Sequence, residues 1–254
     1  MKILVCIDDT DTMKTDGTDD ISTGELAGMI AKVIEKNNWG HCERITRHQL
    51  LIHPDIPYTS HNSSMCFAAD INSVYLDKLI DFASDFLARE SAPGSDPGLC
   101  VAVTERISRP AWLIAFGFMA KNYIMTKQEA YDLAERLKIH LSEHGGNGQG
   151  VIGALAGAGL RLSGNDGRFK GRIKINAPND IITVGDLRAQ GRVDMVKCLE
   201  QGIVLPDNEL IKLGDALKAV WLYGKSVVPV YPINEPGADQ VRWQTYSKKQ
   251  LKDF

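Results

Sequence analysis

The sequence contains no Cys-x-x-Cys pair. Its five cysteines, Cys6, Cys42, Cys66, Cys100 and Cys198, are odd in number and far apart. That pattern argues against a disulfide framework and a zinc ribbon, and reads as reduced, mostly buried thiols. No apolar run approaches the ~20 residues of a membrane helix, so no membrane partner is expected. The start has one lysine and a short apolar run before acidic residues. A signal peptide is built differently, so the expected compartment is the cytoplasm. Neither sign of charge dominates: the formal net charge is −3. A broad basic surface, and with it generic nucleic-acid binding, is not indicated, while a local basic groove stays open. Internal repeats and low-complexity segments are also missing.

The remainder is ordinary for a soluble globular protein, at 44% apolar and 24% charged residues. A chain of 254 residues allows one large or two small domains.

The first informative stretch is Lys2 to Asp11. Residues 3–7 form a short apolar run that reads as a buried strand. Asp8, Asp9 and Asp11 follow at once, three mutually repelling carboxylates where a strand leaves the sheet. In open α/β sheets that edge binds ligands, and hard oxygen donors suit Mg²⁺. Alone, such a cluster reads first as a solvated acidic turn. The next element adds weight. Asp16, Gly17, Asp19 and Asp20 make a polar loop, and Ser22-Thr23-Gly24-Glu25 has the form of a capping box. Leu26, Met29, Ile30, Val33 and Ile34 continue at helical spacing, to an end near Asn37–Gly40. The N–H groups at Ser22 and Thr23 favour an anion. Capping alone also accounts for Ser22 and Glu25.

Residues 44–52 can form a second strand, with Ile45, Leu50, Leu51 and Ile52 as core candidates. Pro54 and Pro57 impose an extended connection. Six polar residues, Thr59 to Ser64, precede a strand at 65–71, and His61 and Asn62 are candidate donors to a phosphate or base. A helix over 74–89, turns at Pro93-Gly94 and Pro97-Gly98, and a strand at 99–103 complete an alternation that supports an α/β sheet. Glu105, Arg106 and Arg109, just beyond, read equally as ligand-facing or as surface residues. Residues 111–118 are apolar and belong to no clear class.

Thr126 to Glu129 is a second capping box, opening a helix to about His144 with an apolar stripe of Ala130, Leu133, Ala134, Leu137 and Leu141. His140 and His144 stand at i, i+4 in it. With no third ligand nearby in sequence, they read as a solvated helix face. Gly145 to Gly153 is glycine-rich and enters the small-residue run Ala154–Leu160. Gly148, Gly150 and Gly153 could let a phosphate approach the backbone. The stretch is neither a P-loop nor a dinucleotide fingerprint, and small residues also serve close helix packing.

The C-terminal part begins with Arg168, Lys170, Arg172 and Lys174, an alternating basic run and the best nucleic-acid-contact candidate. Edge strands use lysines in the same way. Ile181–Val184, a short helix near 186–190, a helix from Pro206 to about Leu217, and a turn and strand from Tyr223 to Tyr231 follow. The tail carries Trp243 and Tyr246, which favours docking on the body over exposure.

Three stretches, taken together, resemble one family. They are Ile7 to Asp11 with Thr23 and Leu26-Ala27, then Pro54 to Tyr58, then Gly148 to Ala156; Tyr223-Gly224-Lys225 is a weak fourth. In this order they are similar to archaeal tRNA-isoleucine agmatidine synthetase. The resemblance implies a kinase-like α/β domain, residues 1–143, and an α+β ferredoxin-like domain, residues 144–254, with a C-terminal tail. It implies ATP and Mg²⁺ as cofactors, with Asp8, Asp9 and Asp11 as metal ligands. Thr23 would be a phosphate acceptor, or would hold phosphate beside Ser22, His61, Asn62, Gly148, Gly150 and Gly153. The family activates a cytidine base of tRNA with ATP and couples agmatine to it. Its longer members continue into an OB-fold and a zinc ribbon, and neither is expected in this sequence. Where the family has an arginine in a glycine-rich stretch, this chain has His61. The expected acceptor is therefore a small molecule or a tRNA, with tRNA not modified unaided. A non-catalytic nucleotide- or RNA-binding module is the rival reading, and a homodimer stays open as the assembly.

Overall fold

A computed structural model describes residues 1–12, 21–56, 62–233 and 241–254 of the chain. The chain divides into two compact units, Met1–Ser163 and Gly164–Phe254. No helix among the described residues is long and apolar enough to cross a membrane.

The first unit runs β1 (Lys2–Asp8), α1 (Thr23–Lys36), β2 (Gly40–Cys42), β3 (Thr46–Gln49), β4 (Ser63–Ile71), α2 (Leu76–Glu90), β5 (Gly98–Val103), α3 (Pro110–Asn122), α4 (Lys127–Leu137), β6 (His140–Glu143) and α5 (Gly150–Ser163). Its sheet has the order β6-β5-β1-β4-β3, with β2 also on β4, and each of these pairings is antiparallel. Along β1-α1-β3-β4-α2-β5 the connectivity is β-α-β-β-α-β, the split βαβ arrangement. The ferredoxin-like topology expected for the C-terminal part is thus present in the N-terminal unit.

The alternation of β1 explains why the sheet is covered on both faces. Ile3, Val5 and Ile7 face Leu26, Ile30, Leu79 and Leu87 of α1 and α2. Leu4 and Cys6 face the other way, into a layer with Leu113 and Phe116 of α3, Ala130 and Ala134 of α4, and Ala154 and Leu155 of α5. A side chain buried on either face contributes roughly 1.5–3 kcal/mol, so β1 is fixed in register from both sides. The glycine-rich helix α5 therefore belongs to the first unit, and the division lies after Ser163 instead of residue 143. Small residues let α5 lie flat on the sheet. A Cβ at Gly157 would collide with Ser64 Oγ and Cys6 Sγ.

Four local expectations change. The second strand is only β3, and its buried residues are Thr46 and His48, whereas Ile52 is exposed. Residues 111–118 are helical, within α3. The helix opened by Thr126 stops at Leu137, where Lys138 adopts a left-handed conformation (φ 56°). Residues 140–143 then pair with β5, so sheet pairing overrides the periodic signal of Leu141. No helix follows Pro206; Leu210–Lys212 is a strand instead.

The second unit runs β7 (Arg168–Phe169), β8 (Ile181–Thr183), α6 (Val184–Gly191), β9 (Met195–Cys198), β10 (Ile203–Val204), β11 (Leu210–Lys212), β12 (Val220–Leu222), β13 (Lys225–Pro232) and β14 (Trp243–Thr245). Its sheet order is β7-β12-β13-β14-β11-β8, with β9 parallel to β13 and β10 on β9. Tyr223 and Gly224, both at positive φ, make the two-residue turn between β12 and β13. The core gathers Phe169, Val184, Leu187, Val196, Ile211, Val228 and Val230. The tail docks as β14 and through Leu251, which is 1% exposed.

Candidate active site

The end of β1 carries the acidic residues into a cavity of about 670 Å³ in the first unit. Asp8 is the last strand residue and is buried. Asp9 takes a left-handed conformation (φ 54°) that turns the chain out of the sheet, a conformation Asp tolerates better than most side chains. Asp8, Asp9 and Asp11 all line the cavity.

Opposite them lies the start of α1. Ser22 is its N-cap: its Oγ accepts the Glu25 N–H, and Glu25 Oε2 accepts the Ser22 N–H at 3.0 Å, completing the capping box. Glu25 is thereby occupied in holding the helix start. Thr23 is buried and accepts a hydrogen bond from Thr10 Oγ1 at 3.0 Å, tying α1 to the turn after β1. The amides of Thr23 and Gly24 have no acceptor among the described residues, as is usual for the first amides of a helix. Ser22, Thr23 and Gly24 line the cavity, so these donors and the positive end of α1 face it.

The α5 start is different. Gly150 and Gly153 line the cavity, but Gly148 does not. The Gly150 N–H donates to Asp96 O, that of Val151 to Gly148 O and that of Ile152 to Gln149 O. The first amides of α5 are taken, and its glycines serve close approach. Gly150 fits against Asp96, Gly98 and Asp8 backbone atoms, and Gly153 against the Asp8 carboxylate. Gly148 (φ 69°) lies beside Glu143, and its N–H donates to Asp96 Oδ1 at 3.2 Å.

Asn62 also lines the cavity, though its Nδ2 donates to Leu51 O at 2.7 Å and so fixes the loop. His61 lies outside the described residues, as do Asp16, Gly17, Asp19 and Asp20. Glu105, Arg106 and Arg109 are not in the site. Because β5 runs antiparallel to β1, the residues that follow it lie at the opposite end, where Glu105 Oε1 accepts the Lys2 N–H at 2.7 Å. Arg109 stacks on Trp112, 4.5 Å from the ring centroid. His140 and His144 are not on a helix. Both contact Ser142 Oγ, at 2.9 and 2.8 Å, along β6.

The same antiparallel pairing brings in residues that the sequence did not single out. Asp8 pairs with Gly98, so Asp96, just before β5, reaches the cavity. Its carboxylate also accepts the Asn147 N–H and shapes the glycine loop. Arg47 of β3 reaches the cavity too, held by Ser63 Oγ at 3.0 Å and Gln49 Oε1 at 2.6 Å. Asp55 adds a fifth carboxylate, and Leu50, Ala120, Tyr123, Ile124, Met125 and Ile152 make an apolar wall. The turn signals at Pro93 to Gly98 were visible in sequence, but strand direction was not, and strand direction is what places Asp96.

Burial, then Asp9 and Asp11, pushes the Asp8 carboxyl well above its usual range. Asp9 is pushed up to about 6 by burial, then by Asp96 and Asp11. Such a cluster favours a bound cation, which would relieve the desolvation and the repulsion. Among the described residues no three His, Cys, Asp or Glu side chains are placed to hold a metal ion. Mg²⁺ accepts this, because it is commonly held by one or two carboxylates with waters and ligand phosphates completing its shell. One or two of the oxygen donors Asp8, Asp9 and Asp11 fit that mode, but all three together, as the sequence suggested, are not placed to do so.

No family model and no curated protein matches the chain. Solved structures do match. Apo TiaS, a tRNA agmatidine synthetase, superposes with a TM-score of 0.51 at 22% identity, over 63% of this chain and 35% of that one. The complex of TiaS with its tRNA and ATP gives a TM-score of 0.51 at 25% identity, over 63% and 36%. The complex of TiaS with its tRNA, AMPCPP and agmatine gives 0.50 at 25%, over 62% and 36%. The chain thus spans about a third of the length of those proteins. Over 63% of its own length, the chain is a structural relative of TiaS, the tRNA agmatidine synthetase.

Proposed function

We propose that the first unit is an ATP- and Mg²⁺-dependent phosphoryl-transfer site of the agmatidine-synthetase type, with a small molecule as acceptor. One observation carries this reading: the carboxylates at the end of β1 and the open amides at the start of α1 face the same cavity. Phosphoryl transfer depends mostly on positioning and charge neutralisation, and these two elements supply both. Solved TiaS complexes with ATP and with AMPCPP and agmatine support the nucleotide assignment.

One or two of Asp8, Asp9 and Asp11 would hold Mg²⁺, which would supply charge neutralisation on the phosphates. The Thr23 and Gly24 amides orient the phosphate end of the nucleotide. Arg47, held by Ser63 and Gln49, adds a fixed positive charge. Leu50, Met125 and Ile152 exclude water, and Tyr123, 65% exposed, offers a ring at the cavity wall for the base. Among the described residues, five aspartates line this cavity against one arginine. ATP would enter with Mg²⁺, which offsets its charge, whereas an acceptor that brings no metal is favoured beside these carboxylates when it is neutral or cationic.

The test is ATP consumption by the intact protein with Mg²⁺, screened against small amines, nucleosides and tRNA. Turnover stimulated by an amine or a nucleoside, and lost in Asp8→Asn, is the expected result. Turnover that only tRNA stimulates would replace the small acceptor by tRNA. Mg²⁺-dependent ATP binding without turnover under any acceptor would make the site a nucleotide-binding module, and no ATP binding would overturn the reading.

A further inference from the structure

The second unit has a cavity of its own, about 250 Å³, with a chemistry opposite to that of the first. Its lining is Arg168, Arg172, Lys218 and Lys248, with Ala216 and Leu251. No carboxylate among the described residues lines it, although acidic residues outnumber basic ones in the chain, 32 to 29. Like charges converge on one concavity only when the fold holds them there, since their repulsion opposes it.

The fold does hold them. The segment from Arg168 runs beside the one that ends in β12: Phe169 N–H donates to Ala219 O, and Ile173 N–H to Leu217 O. Arg168 pairs with Val220. Phe169, Leu217 and Ala219 turn into the core, and the alternation leaves Arg168 and Lys218 on the opposite face. Gly171 (φ 88°) turns the chain so that Arg172 joins them. Leu251, packed on Val220 and Val227, anchors the tail that carries Lys248. Asp215, outside the lining, accepts the Lys248 backbone N–H at 2.9 Å.

Arg168 is the telling member. It is half-buried, and burial pulls its guanidinium below the usual range. Its Nη1 donates to the Leu251 carbonyl at 2.9 Å, a contact that orients the group without neutralising it. Among the described residues no ion pair joins Arg168, Arg172 or Lys248 to a carboxylate. A partly desolvated guanidinium such as that of Arg168, without a counter-charge, gains most from an anion, and guanidinium groups match phosphate oxygens in pairs. Lys170 and Lys174, from the same basic run, do not line the cavity. Three-dimensional placement therefore splits a run that looks uniform in sequence.

We infer that the cavity between Arg168, Arg172, Lys218 and Lys248 is a phosphate-binding site, separate from the nucleotide site of the first unit. The phosphate can belong to a small phosphomonoester or to a nucleic-acid backbone, and the chemistry of recognition is the same. The test titrates the full-length protein with inorganic phosphate and, separately, with single-stranded oligouridylate, following backbone amides by NMR. Saturable shifts at Ala216 and Leu251 are expected with at least one probe. Arg172→Gln and Lys218→Gln should each weaken that binding about tenfold. Lys170→Gln and Lys174→Gln carry the same charge change outside the cavity and should alter it less than about twofold. A nucleic-acid source is identified by oligouridylate binding whose salt dependence falls by about one ion in Arg172→Gln. A small-molecule source is identified by binding of phosphate alone. Absence of shifts with both probes, or equal loss in the Lys170 and Lys174 variants, would overturn the inference.

Discussion

Gly153, on the first turn of α5, is fitted to Asp8 at the end of β1: a Cβ at 153 would overlap the Asp8 carboxylate and press on Leu50 Cδ1. The glycine that sequence reasoning assigned to phosphate approach instead makes room for a carboxylate. Gly153→Ala is therefore expected to displace Asp8 while leaving α5 helical, since alanine is the better helix former. Overpacking of this kind costs about 1–3 kcal/mol. The expected outcome is a lowered thermal midpoint together with weaker Mg²⁺-dependent ATP binding in calorimetry. A variant as stable as wild type, with unchanged affinity, would show that Asp8 relaxes freely and does not need its present position.

The carboxylate cluster predicts effects of opposite sign on stability and binding. Asp8 is buried and Asp9 half-buried beside like charges, so each opposes folding at neutral pH. Asp8→Asn and Asp9→Asn remove the charge and keep the shape. Both variants should raise the thermal midpoint of the ligand-free protein, and both should lose Mg²⁺-dependent ATP binding. Thermal scans with and without Mg²⁺–ATP check the two effects in one experiment. If the variants are destabilised and still bind, the aspartates form a structural turn.

How far the sequence led depends on the element. The strand at 3–7, the capping box at Ser22 and the nearness of Asp8, Asp9, Asp11 and Thr23, which line one cavity, were legible, because each rests on local chemistry. Strand direction was not. Apolar runs signal a strand without saying how it pairs, and the antiparallel β1–β5 register is what brings Asp96 in and takes Glu105 away. Arg47 escaped notice for the same reason, since β3 reaches the site only through its pairing with β4. The helix α3 escaped because it is apolar on most faces, buried at Leu113 and Phe116 yet exposed at Trp112 and Met119, so no period stands out. The extension of α4 toward His144 failed because Leu141 keeps a helical spacing while serving an edge strand.

That strand supplies a pH prediction. Burial holds the His140 imidazole below its ordinary value of 6.5, with Asp81 opposing. His144 is lowered by burial and by His140, against Asp85 and Glu143. Both rings share Ser142 Oγ, which can donate to only one of them. The folded state therefore prefers neutral rings. Their contribution to stability is full above the unfolded value near 6.5 and is lost as pH falls through the lower folded values. Unfolding midpoints measured from about pH 8 down to about pH 5 should decline, and the decline should be shallower in His140→Gln and His144→Gln. An unchanged slope in both variants would assign the acid sensitivity elsewhere.

The last prediction concerns Thr23. Thr23 lines the cavity beside Gly24, and its hydroxyl is fixed by the Thr10 hydroxyl at 3.0 Å. A hydroxyl so placed at a helix start can accept a phosphate, whose charge the helix dipole and the open amides would then stabilise. Incubation with ATP and Mg²⁺ is expected to add one phosphate, and peptide mass spectrometry should locate it on Thr23. Thr23→Val should abolish the modification, but it also deprives Thr10 of its acceptor, at a cost of about 1 kcal/mol. Thr23→Ser restores both the acceptor and the nucleophile, so it should recover the stability and the phosphate together. If Thr23→Ser recovers stability and neither it nor wild type is modified, Thr23 serves only to tie α1 to β1. If the phosphate appears on Ser22 instead, the cap would have to open first. Glu25 would then lose its partner, and the thermal midpoint should fall as phosphate is added.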